Sequence, residues 1–267
     1  VYGVYLSNVE NSHIASNVVH DIVLPAKYNM YAVAGIYSEN SSTPVDNYFV
    51  NNMVYHVAGN PGGSSMADER PCGMVFYYSA TSQANDIKVY NNSIYLTPDD
   101  TSSLSNNGDY AIGVLAAGAY EYMDFRNNII QNSLGEKNGS SATGTIGYAV
   151  HTDGQTPFSG IDNNIYYVTN YDNNYWGNYD NSDFQTLADF QSYSNKDKNS
   201  QFQDPKYISQ TDLHIDSGEV IIGEKISAVK KDIDEQPRKF YHIGADEHVT
   251  VTEIQADTIS TNTIWSD

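Results

Sequence analysis

The sequence predicts an all-β chain: a right-handed parallel β-helix of about five coils, with a C-terminal capping region that contains a short helix. Three observations lead there. Two short phrases recur together five times at a shared spacing. The stretches around them hold short β-like runs and no amphipathic helix. The composition is that of an uncharged polar β protein. The first observation carries most weight, because internal repetition overrules local propensity.

One phrase is an asparagine pair, or Ser-Asn, followed mostly by apolar residues: Ser16-Asn17-Val18-Val19, Asn51-Asn52-Met53-Val54, Asn91-Asn92-Ser93-Ile94, Asn127-Asn128-Ile129-Ile130 and Asn163-Asn164-Ile165-Tyr166. Its second position recurs at intervals of 35, 40, 36 and 36 residues. The other phrase precedes it each time: Gly3-Val4-Tyr5-Leu6, Gly35-Ile36-Tyr37-Ser38, Gly73-Met74-Val75-Phe76, Gly113-Val114-Leu115-Ala116 and Gly147-Tyr148-Ala149-Val150.

Runs such as Ile36-Tyr37-Ser38-Glu39 and Ile87-Lys88-Val89-Tyr90 alternate with the two-residue period of a strand. A helical solenoid would need two amphipathic helices per repeat, and a leucine-rich repeat its leucine spacing; both are absent. A β-propeller blade, of about 40–45 residues, is the nearest alternative. The Asn-Gly and Asp-Gly pairs expected at its hairpins are scarce. What remains is a parallel β-helix, with each repeat one coil and like strands stacked about 4.8 Å apart. Asparagine suits its corners. It tolerates the left-handed backbone region, and its amide, stacked in register, bonds to the amide of the next coil. The five recurring asparagines are therefore read as structural.

The 267 residues carry 13 basic and 33 acidic groups, a net charge of −20, with only 17% charged residues and a mean hydropathy of −0.50. This charge argues against a nucleic-acid partner, which needs basic patches. No apolar run is long enough to cross a bilayer, so no membrane insertion is expected. A single cysteine, Cys72, excludes an internal disulfide framework and a cysteine-based zinc site. Tyrosines number 23 against 8 phenylalanines. The chain opens on Val1 directly in a strand-like run, so a leader or a larger N-terminal part is expected to be missing.

The repeat phrases, such as Gly3-Val-Tyr-Leu-Ser-Asn followed by Ile14-Ala-Ser-Asn-Val-Val, resemble the pectate-lyase-like right-handed β-helix superfamily over residues 1–170. That superfamily includes lyases, glycosidases, epimerases and non-catalytic surface proteins, so the resemblance implies a fold and leaves the activity open. Residues 171–248 follow as a capping region, and 249–267 as an edge strand or linker tail. Ser182-Asp183-Phe184-Gln185 reads as a capping box opening a short helix, with Phe184, Leu187, Ala188 and Gln191 sharing a face. Then come Phe202-Gln-Asp-Pro, Leu213-His-Ile, and Asp232-Ile-Asp-Glu-Gln-Pro-Arg238 leading to His242-Ile-Gly-Ala-Asp-Glu247. This order resembles the C-terminal portion of secreted bacterial β-helix proteins, with Glu235 where those carry glycine. Its expected role is to cover the open sheet edges at the end of the stack.

Candidate site residues lie on the strand after the repeat glycine. With Val4, Ile36 and Met74 inward, the outward column is Tyr5, Tyr37, Val75, Leu115 and Ala149. The next is Ser7, Glu39, Tyr77, Ala117 and His151, with Asp153 nearby. Tyr5, Tyr37 and Tyr77 suit sugar rings, being flat and cheap to order. Loops at 25–31, 59–71 and 97–109 would wall this face into a groove and supply Lys27, Asp68, Glu69 and Arg70. Glu39, Asp68, Glu69, His151 and Asp153 are the candidate catalytic groups; Arg70 would grip a sugar carboxylate, and Lys27 is a further substrate-binding candidate. The plainer reading of Asp68-Glu69-Arg70 is a solvated loop with a local ion pair. That of His151-Thr-Asp153-Gly154 is a strand ending in a turn.

Two function classes follow: a polysaccharide lyase or glycoside hydrolase, or a non-catalytic adhesin or glycan-binding module. A glycosidase needs two carboxylates about 5–5.5 or 6.5–9.5 Å apart, and no spacing in the sequence fixes such a pair. The expected protein is a secreted or cell-surface monomer with a polysaccharide partner. No cofactor is required, the metal site is unassigned, and Ca²⁺ is the ion its acidity would favour.

Overall fold

In the computed structural model, residues 1–24, 33–40, 46–59, 70–78, 87–97, 110–117, 121–134, 146–169, 173–216 and 221–247 are described. Strands β1 (Tyr2–Ser7), β2 (His13–Ala15) and β3 (Val18–Leu24) make the first level. Strands β4 (Val33–Asn40), β5 (Asn47–Val50) and β6 (Met53–Gly59) make the second, and β7 (Pro71–Tyr78), β8 (Ile87–Tyr90) and β9 (Ser93–Leu96) the third. The fourth holds β10 (Tyr110–Ala117), β11 (Met123–Arg126) and β12 (Ile129–Asn132); the fifth holds β13 (Ile146–His151), β14 (Phe158–Asp162) and β15 (Ile165–Val168).

Every third strand pairs in parallel, which gives three long sheets. Sheet A begins β1-β4-β7-β10-β13, sheet B is β14-β11-β8-β5-β2, and sheet C contains β15-β12-β9-β6-β3. The protein is an all-β parallel solenoid of about four turns, slightly fewer than the five coils expected. Strands β16 (Asn173–Tyr179) and β18 (Gln201–Phe202) extend sheets A and C by one strand each.

The asparagine phrase makes the corner between sheets B and C, and its two positions do different work. The first residue takes the left-handed conformation: Ser16, Asn51, Asn91, Asn127 and Asn163 all have φ between 52° and 57°. The second residue builds the ladder. Nδ2 of Asn17 donates to Oδ1 of Asn52 at 2.8 Å, Asn52 to Asn92 at 2.9 Å, Asn92 to Asn128 at 2.9 Å and Asn128 to Asn164 at 3.2 Å. Each Oδ1 also accepts the backbone N–H of the asparagine below it. The ladder ends on Ser200 and the buried Asp197, whose oxygens receive Asn164 N–H groups at 2.7 and 3.4 Å.

The inward column on sheet A is Val4, Ile36, Met74, Val114 and Val150. It packs with Phe49, Val89 and Phe125 of sheet B and Val54, Ile94 and Ile130 of sheet C into one core. The repeat glycine is a close-approach position. A Cβ on Gly73 would lie 2.6 Å from the carbonyl oxygen of Gly113 and 2.4 Å from Ile94. At the fifth level this place belongs to Ala149, because Ala111 pairs with Gly147 and Val114 with Val150. The alignment through Gly147 was therefore two residues out of register.

The capping region divides into two parts. Strand β17 (Ser182–Phe184) forms an antiparallel hairpin with β16, and helix α1 (Leu187–Ser194) follows. The Ser182–Gln185 capping box is thus corrected. Ser182–Phe184 are extended, and Thr186 is the N-cap, its Oγ1 accepting the Asp189 N–H at 3.2 Å. Phe184, Leu187 and Phe190 enter the core, and Phe190 stacks on Trp176 with ring centroids 3.7 Å apart. Ala188 is exposed. This hairpin and helix cover the end of the stack.

Residues 207–216 and 221–247, starting with β19 (Tyr207–Ser209) and β20 (Asp212–Ile215), instead lie along its flank. The outward side chains of the corner hold them there. Asn51 Nδ2 donates to the Lys231 carbonyl, Asn91 Nδ2 to that of His242, and Asn127 Nδ2 to that of Glu224. Arg238 donates to Asn51 Oδ1 and to the carbonyls of Lys231, His242, Gly244 and Ala245. Leu213 and Ala245 pack on Met53, Tyr55 and Tyr95 of sheet C.

Candidate functional site

The outer face of sheet A carries the candidates read from the sequence. Ser7, Glu39, Tyr77 and Ala117 stand in one column as expected. His151 does not join them. It pairs with Leu115 and so belongs to the column of Tyr5, Tyr37 and Val75, the place expected for Ala149. The error is the same two-residue slip at the fifth level. Lys27, Asp68 and Glu69 lie outside the described residues.

The face is closed over most of its length. Ala34, Tyr37, Cys72, Val75, Ile112, Leu115 and Tyr148 form a second buried apolar cluster. Tyr37, at 7% exposure, is not an open platform for a sugar ring. Tyr5 and Tyr77 are open, at 51% and 39%. Tyr5 stacks on Tyr2 at 5.2 Å and donates its hydroxyl proton to Glu39 at 2.5 Å, and Ser7 Oγ also donates to Glu39 at 3.2 Å. Glu39 is thus engaged at the first two levels, far along the stack from His151.

Arg70 and His151 do come together. Both are buried, and burial followed by the Arg70 charge pushes the His151 imidazole down to about 4, against the opposing pull of Asp183. The ring is neutral at pH 7. Its Nδ1 accepts the backbone N–H of Asp153 at 3.1 Å, which assigns the proton to Nε2. The Asp153 contact is thus made by its amide rather than its carboxylate. Asp153 and Gly154 have φ of 49° and 74°, and Gln155 N–H closes on the Thr152 carbonyl. This is the strand-to-turn ending. Tyr148, whose ring edge faces His151 at 5.0 Å, donates to Asp183.

The open polar cleft lies elsewhere, across the outer face of sheet B. Its volume is about 490 Å³. The floor is Asp124, Arg126, Gly160 and Asp162 from β11 and β14; Lys196, Lys198, Asn199 and Glu224 line the sides. The side chains alternate outward from core residues Phe125 and Ile161, as a strand requires. Arg126 is held by Asp124, and its Nη1 donates to Glu224 at 2.9 Å. Tyr90 donates to Asp124 at 2.6 Å and lies under the guanidinium, 5.6 Å from ring centroid to Cζ. Asn199 donates twice to Asp162, at 2.7 Å each. Gly160 keeps the floor open, since a Cβ there would press on Asp124 at 2.8 Å. Lys198 is exposed and makes no hydrogen bond or ion pair among the described residues.

Counting outward positions back from each asparagine pair would have found Asp124, Arg126 and Asp162. Lys196, Lys198 and Asn199 follow no repeat and gave no signal. Metal-ligand chemistry is confined, among the described residues, to His214, Asp234 and Asp246 on the flank. No family model, no curated protein and no solved structure matches this chain.

Proposed function

We propose that the protein binds a polysaccharide, in the sheet-B cleft and without catalysing its cleavage. One observation carries this reading. The cleft is open and polar, with Asp124, Arg126 and Asp162 held on adjacent solenoid levels and Lys196, Lys198 and Asn199 supplied by the turn after α1. A polyhydroxylated chain offers matching donors and acceptors along its length. The free ammonium of Lys198 at the rim favours a sugar bearing a carboxylate or sulfate, which the net charge of −20 otherwise repels.

The non-catalytic reading is supported by the state of the sheet-A candidates. Glu39 is tied to Tyr5 and Ser7, and His151 presents an N–H rather than a basic lone pair at Nε2. In this reading the protein is secreted or cell-surface, and the scaffold is a rigid support for its binding face.

Calorimetric titration against neutral, uronate and sulfated polysaccharides tests the proposal. Binding to an acidic polymer is expected, weakened about tenfold by Lys198→Ala and unaffected by His151→Gln. Release of reducing ends or of unsaturated products absorbing near 235 nm would overturn it. So would binding that survives both Lys198→Ala and Asp162→Ala undiminished.

A further inference from the structure

We propose that His214, Asp234 and Asp246 form a zinc-binding site that fastens the β19–β20 hairpin to the C-terminal segment. The sequence phrases Leu213-His-Ile and Asp232 to Glu247 supply no residue to the cleft lining. In the fold they meet. One donor atom from each of His214, Asp234 and Asp246 lies within 4.8 Å of the others. His214 Nε2 is 3.1 Å from Asp234 Oδ2. That is close to the ligand–ligand separation in a tetrahedral shell with bonds of about 2.0–2.1 Å.

The imidazole is oriented from behind. Asp212, two residues earlier on the same strand, bonds to His214 Nδ1 and leaves Nε2 facing Asp234. A carboxylate on the distal nitrogen is the usual support of a metal-bound histidine, fixing its tautomer and ring plane.

The other acidic groups nearby are accounted for. Asp232 accepts the amides of Asp234, Gln236 and Glu247. Glu247 accepts those of Lys239, Phe240 and Tyr241. Arg238 is spent on carbonyls and Asn51, with Glu247 at 3.9 Å. Asp212, Asp234 and Asp246 are the carboxylates grouped around the one imidazole. Asp246 is buried and Asp234 exposed, so the group opens to solvent on one side.

The donor set selects the ion. Calcium takes oxygen ligands in shells of six to eight, whereas one imidazole and two carboxylates suit zinc, with a fourth position for water. The acidic composition had suggested calcium; the geometry of this group favours zinc.

The test uses the untagged chain, titrated with zinc chloride and calcium chloride by calorimetry. One zinc per chain is expected. Binding should be abolished in His214→Gln, at least tenfold weaker in Asp234→Asn, and about tenfold weaker in Asp212→Asn, which removes only the orienting group. Circular dichroism verifies that each variant is folded. Cobalt(II) added to the wild-type chain should give the visible absorption of a tetrahedral site, a readout that needs no variant. Absence of zinc binding overturns the proposal, as does zinc binding undiminished in folded His214→Gln. Calcium binding as tight as zinc binding, or an octahedral cobalt spectrum, overturns it too.

Discussion

At the residue scale the asparagine ladder bears the closest reading. Asn92 uses its amide five ways: its Oδ1 takes two bonds from Asn52, and its Nδ2 donates to Asn128, Phe49 and Tyr90. Asn92→Ala should cost about 3 kcal/mol in denaturant melts, because buried donors and acceptors on both neighbouring levels lose their partners. The ladder's last partner titrates. Burial raises Asp197 to about 7, against bonds from Ser200 and Asn164 that lower it. A raised carboxyl favours folding when protonated, so its contribution is full below about pH 4 and lost as pH rises through 7. Asp197→Asn, which continues the ladder with a neutral amide, should gain on the order of 3 kcal/mol at pH 8 and almost nothing at pH 4. His151 acts with the opposite sign. Its depressed imidazole contributes fully above about pH 6.5 and loses that contribution as pH falls toward 4. Guanidinium midpoints across pH 4–8 in Asp197→Asn and His151→Gln should therefore separate two opposing slopes. The ladder was legible in the sequence because its period is regular. The placing of His151 was not, because Gly147 imitates a repeat glycine whose real place is held by Ala149.

At the scale of the element, the two halves of the C-terminal region close different surfaces. Helix α1 seals the end through Phe190, which is fully buried against Trp176, Tyr179 and Phe184. Phe190→Ala should cost about 3–5 kcal/mol and raise binding of a hydrophobic dye, since it opens the core at its last level. The helix itself was legible, but its start was displaced. Ser182-x-x-Gln185 matches a capping box, yet the pairing of β17 with β16 claims those residues for a hairpin. The flank segment is fastened by Arg238, whose buried guanidinium is pushed down to about 10 by desolvation, with Glu247, Asp232 and Asp246 acting the other way. Arg238→Ala should cost about 3–5 kcal/mol by stranding Glu247 and several carbonyls. Limited proteolysis should then cut first within 207–247. From sequence this segment looked like a lid for the open end. Only the outward Asn51, Asn91 and Asn127 side chains, indistinguishable in print from their ladder-forming neighbours, disclose that it runs alongside.

At the scale of the whole molecule, the stacked levels were legible from spacing alone, whereas the cleft was not. It arises where outward residues of β11 and β14 meet the turn after α1, three segments whose proximity no local pattern records. The flank segment also bears on how the stack comes apart. A solenoid whose levels touch only their neighbours unravels from its ends, one level at a time. Here one strip of chain is fixed to the second, third and fourth levels through Asn51, Asn91 and Asn127. Those levels cannot separate singly without first releasing the strip. The first level, residues 1–24, carries none of these anchors. Hydrogen exchange should accordingly show a step rather than a gradient: fast opening of β1, β2 and β3, then a joint, much slower opening of β4 through β12. The strip works like the spine of a book, making the bound leaves turn together and leaving the first one loose.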